Sequence, residues 1–449
     1  MRTRTPLAWL MAGTMTALSM GSAHSADLLE IYRLAQQNDP AYAAARHDFE
    51  AAREARPQAR AALLPQATFT ASRSEDDQRD LDTNQSDSFT SEQYSLSLRQ
   101  TLFNWEQFVG LNRADAEIAR AEAELANADQ DLIQRVAEAY FAVLAAEEEE
   151  RFARAEAEAI ERQLEQAEER FDVGLIPVTD VKAAQASYDL AVSRQIEARN
   201  EIDNAREALR AIVERRVGPL ARVGEELPLE KPDPDDASEW VERAVEQNPE
   251  YLAARAASEA SRQGVRQARA GHYPEVDLTA SRTRQETDTD FLGDGIQQQR
   301  GGDTETDSIG VEVSLPLFRG GATVSGSREA RAQFESAQEG MVEARRSVEQ
   351  RTRDAFRGME SRISQVRSLR LAVESNEASV AAEEAGFEVG TRTTVDVLDA
   401  LRDLFEAERD FANARFEYIL NRLRLQAAAG TLDVDELRRV NAWLEETEG

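Results

Sequence analysis

The sequence predicts a mainly α-helical protein with a small β part, organised as two structural repeats. Three observations lead to this fold class: an alanine-rich and charge-rich composition, motifs that recur 209 to 216 residues apart, and segments with heptad or period-2 hydrophobic patterns. The 449 residues are 41% hydrophobic but only 6% aromatic. A single compact core of this size usually contains more aromatic side chains, so the composition favours long packed helices.

The repeat is visible in residues that recur at a nearly constant spacing. Pro40 and Pro249 are 209 residues apart, and the sequence FDVG at 171–174 matches FEVG at 387–390 at a spacing of 216. Because the spacing drifts only slightly over this span, the insertions are expected to fall in loops. The same elements should therefore follow one another in both halves of the chain.

The motif positions divide the chain into five predicted regions. They are a signal peptide at 1–25, a first repeat at 26–217, a proline-rich linker or equatorial segment at 218–235, a second repeat at 236–430 and a C-terminal equatorial tail at 431–449. Each repeat is expected to run in the order helix, two strands, very long helix, helix. The predicted helices cover 28–62, 106–171 and 178–213 in the first repeat, and 237–270, 322–387 and 394–429 in the second.

The N-terminus has the features of a secretory signal. Arg2 and Arg4 provide a positive start, an apolar run covers 7–18, and small, mostly polar residues occupy 21–26. The apolar run is shorter than the roughly 20 residues that a membrane-spanning helix requires. We therefore expect export, with cleavage between residues 23 and 26. A disordered N-terminus is the alternative.

The strand segments alternate between apolar and polar residues. Apolar side chains take every second position in 94–98 and again in 309–317, and the sequence ATFTASR at 67–73 is echoed by VDLTASR at 276–282. Long, polar, acidic loops are expected at 74–92 and 283–308. This pattern is typical of outer-membrane β-strands, although two exposed hairpins on a soluble protein are an alternative. Four strands leave open edges that lipid does not tolerate, so an oligomer of unspecified number is predicted.

The long helices carry a heptad repeat. A large apolar residue occupies every seventh position; these residues are Leu111, Ile118, Leu125 and Leu132 in the first repeat and Phe334, Met341 and Val348 in the second. Alanine follows three residues later at all of them except Leu132 and Val348. This is a coiled-coil seam. A helix of about 66 residues is roughly 100 Å long. A cytosolic coiled-coil scaffold is an alternative, but it does not account for the export signal or the strands.

Composition also disfavours several function classes. The chain has no cysteine, only three histidines and a net charge of −32. We therefore expect no thiol nucleophile, no zinc or other metal site, no cofactor and no nucleic-acid partner. A periplasmic enzyme is disfavoured because no set of convergent catalytic groups is visible. A structural coiled-coil protein of the cell surface, without a channel, remains the main alternative to an export duct.

Several motifs together resemble one protein family. They are FDVGLIPVTDV at 171–181, FEVGTRTTVDVLDA at 387–400, LPLFRGG at 315–321, ALLPQ at 62–66 and ANAR at 412–415. The sequence resembles the TolC family of outer-membrane efflux and secretion ducts over essentially its whole mature length. Because it has no cysteine for a lipid anchor, it is more similar to the branch that gives the family its name than to the lipid-anchored branch.

The resemblance implies a homotrimer in the outer membrane. Four strands from each chain would form a 12-stranded β-barrel in outer-membrane lipid, and the long helices would form a coiled-coil α-helical barrel in the periplasm. The far end of that tunnel would dock a periplasmic adaptor, or membrane fusion protein, and an inner-membrane transporter of the RND, ABC or MFS type. The implied function is the exit duct of tripartite efflux pumps or of type I protein secretion, with a tip gate that these partners open.

The two helix–helix turns are the predicted tip of the tunnel. Gly174 and Gly390 suit a helix C-terminus, and Thr179 or Asp180 suits the start of the next helix. Thr394 or Asp396 is expected to play the same part in the second repeat. Capping is thus an alternative to any functional role for these polar residues.

The resemblance assigns gate roles to several tip residues. It implies that Asp396 and Asp399 form two carboxylate rings at the narrowest point of the pore. It also implies that polar links hold the tip closed through Thr179, Asp180, Arg392 and Arg415. Phe387 stands where the protein that gives the family its name has a tyrosine, and a phenylalanine cannot donate the corresponding hydrogen bond.

Overall fold

The structure is a computed structural model that describes residues 25–79, 86–224, 226–290 and 302–445. The predicted signal peptide, except for its last residue, lies outside the described residues. Within these four ranges, no helix combines the length and the apolar character needed to cross a bilayer.

The described residues form a mainly helical chain with one sheet of long strands. The helices are α1 (Leu28–Asn38), α2 (Pro40–Arg53), α3 (Ala55–Ala61), α4 (Trp105–Asp172), α5 (Val178–Val213), α6 (Ala237–Gln247), α7 (Pro249–Ala270), α8 (Ala322–Glu388), α9 (Thr394–Ala429) and α10 (Val434–Asn441). The strands are β1 (Gln66–Arg79), β2 (Ser86–Asn104), β3 (Arg222–Val223), β4 (Glu275–Asp290), β5 (Thr304–Ser314) and β6 (Leu444–Glu445). The predicted fold class, mainly α with a small β part in two repeats, is confirmed.

The first helix of each repeat is divided, which the sequence analysis did not predict. In the first repeat the break falls at Asp39, whose side chain accepts a hydrogen bond from the backbone N–H of Tyr42 at 2.7 Å and so caps α2. In the second repeat Asn248 caps α7 in the same way. Each cap is followed by a proline, which has no backbone N–H to donate and is suited to the first turn of a new helix.

The four long strands form one antiparallel sheet in the order β1-β2-β4-β5. The pairing extends further than the alternating apolar pattern suggested, since β1 and β2 remain paired out to Arg79 opposite Ser86. The strands thus continue into the segments that were predicted as polar loops. Backbone hydrogen bonds form the ladder, so pairing does not require apolar side chains at its far end.

The long helices pack as two antiparallel hairpins, α4 with α5 and α8 with α9. Small side chains occupy the α4–α5 seam, where Ala167, Ala184 and Ala191 are fully buried. Alanine at these positions allows the helix axes to approach closely. Leu398 of α9 joins this seam, and Ala159 of α4 joins the apolar cluster between α8 and α9. The two hairpins therefore share their apolar contacts near the turns.

The main hydrophobic core lies around the middle of the long helices. There α1, α10, the segments that flank β3 and the segment that leads into β6 surround α4 and α9. The Tyr140 hydroxyl is buried and donates to the backbone carbonyls of Ala26, at 3.2 Å, and Ala221, at 2.7 Å. Burial raises the pKa of Tyr140 far above its ordinary value. A single α4 side chain thus anchors both the N-terminal segment and the inter-repeat segment.

A buried ion cluster joins three of the long helices about midway between this core and the turns. Its centre is Glu156 of α4, which is fully buried. Arg194 of α5 lies 2.9 Å and Arg409 of α9 lies 3.1 Å from its carboxylate oxygens. A buried charge is tolerated only when it is paired. The cluster therefore favours one register of the α4–α5 hairpin against α9.

The ion cluster predicts a specific loss of stability. Replacing Arg409 with methionine leaves Glu156 with one partner, and we expect the free energy of unfolding to fall by about 3 kcal/mol. Replacing Glu156 and Arg409 together should be less damaging, because no buried charge is then left half-paired. Denaturant unfolding in detergent, followed by circular dichroism, measures both variants.

The control is Arg120→Met, which removes an exposed α4 ion pair to Glu124 at 2.8 Å. Such pairs contribute about 0–1 kcal/mol. If Arg409→Met is no more destabilised than this control, the cluster does not hold the helices in register.

Candidate functional site at the tip of the helical hairpins

The two turns at the ends of the hairpins, 173–177 and 389–393, lie side by side; we call them the tip. Both turns have the same backbone conformation and hydrogen-bond pattern. Gly174 has φ +74° and Gly390 has φ +77°, a conformation that side-chain-bearing residues rarely adopt. The N–H of Gly174 donates to Phe171, and that of Leu175 donates to Arg170. These bonds form a Schellman motif that ends α4, and the same two bonds recur at the end of α8.

The helix that follows each turn begins differently in the two repeats. Thr393 caps α9 in a capping box with Asp396, whose carboxylate accepts from the Thr393 backbone N–H at 2.8 Å. The residue at the corresponding position of α5 is Pro177, which makes no side-chain cap. Thr179 and Asp180 therefore lie in the first turn of α5 and do not cap it. In the second repeat, the fully buried Thr394 is likewise not the cap.

Asp396 is held as a carboxylate by its own cap. Hydrogen bonds from the backbone N–H and the hydroxyl of Thr393 hold the pKa of Asp396 below its usual range, and the nearby positive charge of Arg392 acts in the same direction. Because this pKa is lowered in the folded chain, the stabilisation is present above the ordinary aspartate range. It is lost only as the pH falls through the lowered value.

Asp399 lies one turn further along α9 and is half exposed. Its carboxylate pairs with Arg402 at 2.9 Å, an interaction that the sequence analysis did not consider. The two aspartates share one exposed edge of α9, as their spacing of three residues requires. Among the described residues, no group of three or more histidine, aspartate or glutamate side chains is arranged to hold a metal ion.

The structure does not bring the predicted polar links together within one chain. In the described part of the chain, the Thr179 hydroxyl donates to Asp180 at 3.2 Å, and Arg392 pairs with Glu383 at 3.1 Å. The Arg392 side chain is 53% exposed and lies against Gly386, where a Cβ would be only 2.5 Å from Arg392 Cγ. Within one chain, Arg392 thus contacts neither Thr179 nor Asp180 among the described residues.

Phe387 is buried beneath an arginine of the other hairpin. The Arg170 guanidinium lies 4.0 Å from the centre of the Phe387 ring, and its Nη1 donates to the Phe387 carbonyl at 3.1 Å. A phenylalanine thus still connects the two hairpins, through a cation–π contact and a backbone hydrogen bond. The sequence did contain a signal, because Arg170 differs from its repeat counterpart, Gly386, in an otherwise matched motif.

The predicted position of Arg415 at the tip is wrong. Arg415 lies 21 residues after Thr394, the first residue of α9, and this places it about 32 Å along the helix. Its guanidinium donates to the backbone carbonyl of Gly224 and lies over the Phe411 ring. The residue belongs to the layer around the middle of the helices. The helical rise between the turn and Arg415 separates this residue from the tip.

Comparison with known sequences places the chain among outer-membrane efflux and secretion proteins. The outer membrane efflux protein family profile matches residues 31–214 and 240–431. The chain is 35% identical to outer membrane protein TolC of Escherichia coli (strain K12) over 425 residues, which cover 92% of this chain and 84% of that protein. It is 30% identical to the alkaline protease secretion protein AprF of Pseudomonas aeruginosa over 456 residues, covering 98% of this chain and 92% of AprF.

Solved structures share the fold. The outer membrane protein VceC of Vibrio cholerae superposes with a TM-score of 0.74 at 21% identity, covering 90% of this chain and 96% of VceC. The CmeC outer membrane channel of Campylobacter jejuni superposes with a TM-score of 0.75 at 16% identity, covering 99% of this chain and 98% of CmeC. At such identities the likeness concerns the fold alone.

The contact between Arg170 and Phe387 predicts an energetic coupling across the two hairpins. A double-mutant cycle of Arg170→Gln and Phe387→Leu isolates the ring contact, because a leucine keeps the backbone carbonyl that Arg170 also binds. We expect a coupling energy of about 0.5–2 kcal/mol, measured by denaturant unfolding in detergent. The matched control pairs Phe387→Leu with Arg162→Gln, an exposed α4 residue, and should show no coupling. Equal coupling in both cycles would contradict the contact.

Proposed function

Because the chain belongs to the outer membrane efflux protein family, we propose that three copies form one duct from the periplasm to the outside of the cell. The protein is an outer-membrane channel of the efflux and type I secretion class, with a helical tunnel in the periplasm. The relatives that support this function are channel and secretion proteins.

The observation that carries the proposal is a pair of neighbouring rungs, one apolar and one polar, each of which crosses all four strands of the sheet. One rung is apolar on all four strands, in register, and comprises Ala67, Leu98, Ala280 and Ile309. The neighbouring rung is polar and comprises Thr68, Ser97, Ser281 and Ser308. Successive residues of a strand point to opposite faces, so at these two rungs one face of the sheet is apolar and the other polar. A strand with lipid on one side and water on the other needs this pattern.

The sheet also has the edges that closure into a barrel requires. β1 and β5 are the two edge strands, and every neighbouring pair in the sheet is antiparallel. With four strands, β1 and β5 run in opposite directions, so β5 of one copy can pair with β1 of the next in the same antiparallel manner. Two copies would supply eight strands and three copies twelve. The family resemblance favours three.

The long helices place the tip far from the membrane. α4 has 68 residues and α8 has 67, so each is roughly 100 Å long at 1.5 Å per residue. Both begin beside the sheet and end at the tip. With the sheet in the outer membrane, the tip would lie deep in the periplasm, where other proteins can reach it.

The tip is the proposed gate. Three copies would bring six carboxylates of Asp396 and Asp399 together at the axis, where they repel one another and attract cations. We propose that Arg392 of one copy binds Thr179 or Asp180 of the next, because among the described residues its exposed guanidinium pairs with Glu383 of its own α8 and leaves donors for a second partner. Arg170 and Phe387 hold the two hairpins of each copy together next to this link.

The proposed partners are a periplasmic adaptor and an inner-membrane transporter of the RND, ABC or MFS type. Exposed apolar side chains at the turns, Val173, Leu175 and Val389, are available for docking. The comparisons cover both kinds of export, since AprF is a protease secretion protein by name and the matching family is that of outer membrane efflux proteins. Selection of the substrate would lie with the transporter, because the duct itself is shared.

The two faces of the sheet make a matched test of the barrel. Ile309→Arg places a charge on the apolar rung, where lipid would make it unfavourable by about 2–4 kcal/mol per chain. Ser308→Arg places the same charge on the next residue, which faces water. We expect the first variant to lose the outer-membrane trimer and the second to keep it, as measured by membrane fractionation and by sedimentation in detergent. Equal behaviour of the variants, or a wild-type monomer, would contradict the proposed barrel.

The carboxylates predict block of the channel by multivalent cations. In planar bilayers, Asp396→Ala with Asp399→Ala should relieve block by hexamminecobalt(III) added from the tip side, because the attracting charges are gone. In Arg402→Gln with Asp399→Asn, which leaves Asp396 as the unneutralised carboxylate, block should persist below the ordinary aspartate range, since hydrogen bonds from Thr393 lower the pKa of Asp396. Asp189→Ala, an exposed carboxylate on α5, is the control and should leave block unchanged. Unchanged block in the double variant would place the constriction elsewhere.

A further inference from the structure

The exposed edge of α9 carries acidic residues well beyond the two predicted rings. They follow one another at spacings of three and four residues and comprise Asp396, Asp399, Asp403, Glu406 and Asp410. These spacings place them on one face of the helix. The last four are exposed within the chain, and Asp396 is half-buried. We call this row the acidic edge. It runs for 14 residues, or about 21 Å.

One basic side chain forms ion pairs with the acidic edge. Arg392 also lies near Asp396, but its guanidinium pairs with Glu383. Arg402 Nη2 is 2.9 Å from Asp399 Oδ1 and 3.9 Å from Asp403 Oδ1. Between residues 394 and 408 the sequence contains no other lysine or arginine. The next one, Arg409, turns away from this edge, because its guanidinium binds the buried Glu156. Arg402 is therefore the basic group that compensates the lower end of the acidic edge.

We propose that Arg402 determines the charge selectivity of the constriction by neutralising Asp399. This inference rests on the proposed function, in which Asp396 and Asp399 line the narrowest point. Counted over three copies, the two aspartates supply six negative charges, and three Arg402 side chains reduce the net charge to −3. The remaining charge belongs to Asp396, whose carboxylate is held ionised by its cap.

The proposal does not depend on how much the ion pair between Arg402 and Asp399 stabilises the fold. Arg402 is 53% and Asp399 54% exposed, and exposed ion pairs stabilise a fold only slightly. Selectivity has a different origin, since it depends on the summed charge that a permeating ion meets in a confined, poorly screened space. A guanidinium that stays within about 3 Å of a ring carboxylate cancels its field at the distance of a passing ion. The pair can therefore matter for permeation without mattering for stability.

The part of the acidic edge beyond Asp403 also supports a role of Arg402 in charge selectivity. Glu406 and Asp410 have no arginine beside them on α9 that faces the acidic edge, so the upper part of the edge remains negative. Cations would enter the constriction from a negative vestibule and then meet a weaker negative field at Asp399. Arg402 would thus make the gate region less cation-selective and less sensitive to multivalent block than its carboxylates alone suggest.

The test compares charge-removing and charge-keeping variants in planar bilayers. Arg402→Gln should raise the permeability ratio of K⁺ over Cl⁻, read from the reversal potential in a KCl gradient, and lower the half-blocking concentration of hexamminecobalt(III) several-fold. Arg402→Lys keeps the charge and should stay near the wild type. Arg402→Gln with Asp399→Asn restores the net charge and should return both values toward the wild type. Arg331→Gln, which breaks an exposed α8 ion pair with Glu335, is the matched control.

The outcomes separate this inference from the proposed function. If the wild type forms no conducting channel, the proposed function fails. If it conducts, but Arg402→Gln has the wild-type reversal potential and block, Arg402 does not set selectivity. If the double variant behaves like Arg402→Gln alone, Asp399 is not the charge that Arg402 neutralises, and the inference is again overturned. A lower trimer yield in every variant would not imitate these results, because reversal potential is independent of channel number.

Discussion

The unpaired backbone edges of β1 and β5 are the constraint on which the rest of the structure depends. In lipid, every strand N–H and C=O needs a partner, and four strands from one chain leave two open rows of them. One apolar rung beside a polar one suits a sheet with lipid on one side and water on the other. In the proposed duct, further copies would pair with these edges, and the rest of the protein would follow the same symmetry.

The arrangement of the long helices is compatible with such an assembly of several copies. Two repeats provide two helical hairpins in each chain, and alanines such as Ala184 and Ala191 let their axes approach closely enough to form a continuous wall. Apolar seams of small residues fix register only weakly, because one alanine resembles another. The buried ion cluster of Glu156, Arg194 and Arg409 supplies the missing specificity, since a displaced register would leave its charges unpaired. The buried ion cluster thus fixes the position of the tip, although it lies several helical turns away from it.

The tip combines contacts of two kinds. Arg170 and Phe387 join the two hairpins inside one chain, and the Phe387 ring provides this through its face, without the hydroxyl that a tyrosine would have. Among the described residues, the contacts of Arg392, Thr179 and Asp180 are local, with Arg392 and Thr179 exposed and Asp180 partly exposed. In the proposed gate, the hairpins of each copy would keep their own contacts, while these polar groups would exchange partners between copies.

The sequence by itself determined the fold class, the two repeats, the bounds of α5 and α9 and the family, because periodicity and repeated motifs are local or recur along the chain. The sequence also located the glycines of the two turns, because a helix end with a positive φ is usually occupied by glycine. The features that depend on how elements are placed relative to one another became visible only in the tertiary structure. Asp39 and Asn248 divide the first helices of the repeats, Arg415 belongs to the middle layer because a helix rises about 1.5 Å per residue, and Arg170 meets Phe387 only because two distant turns lie side by side. A sequence pattern reports which residues can share a helix face, and only packing determines which faces meet.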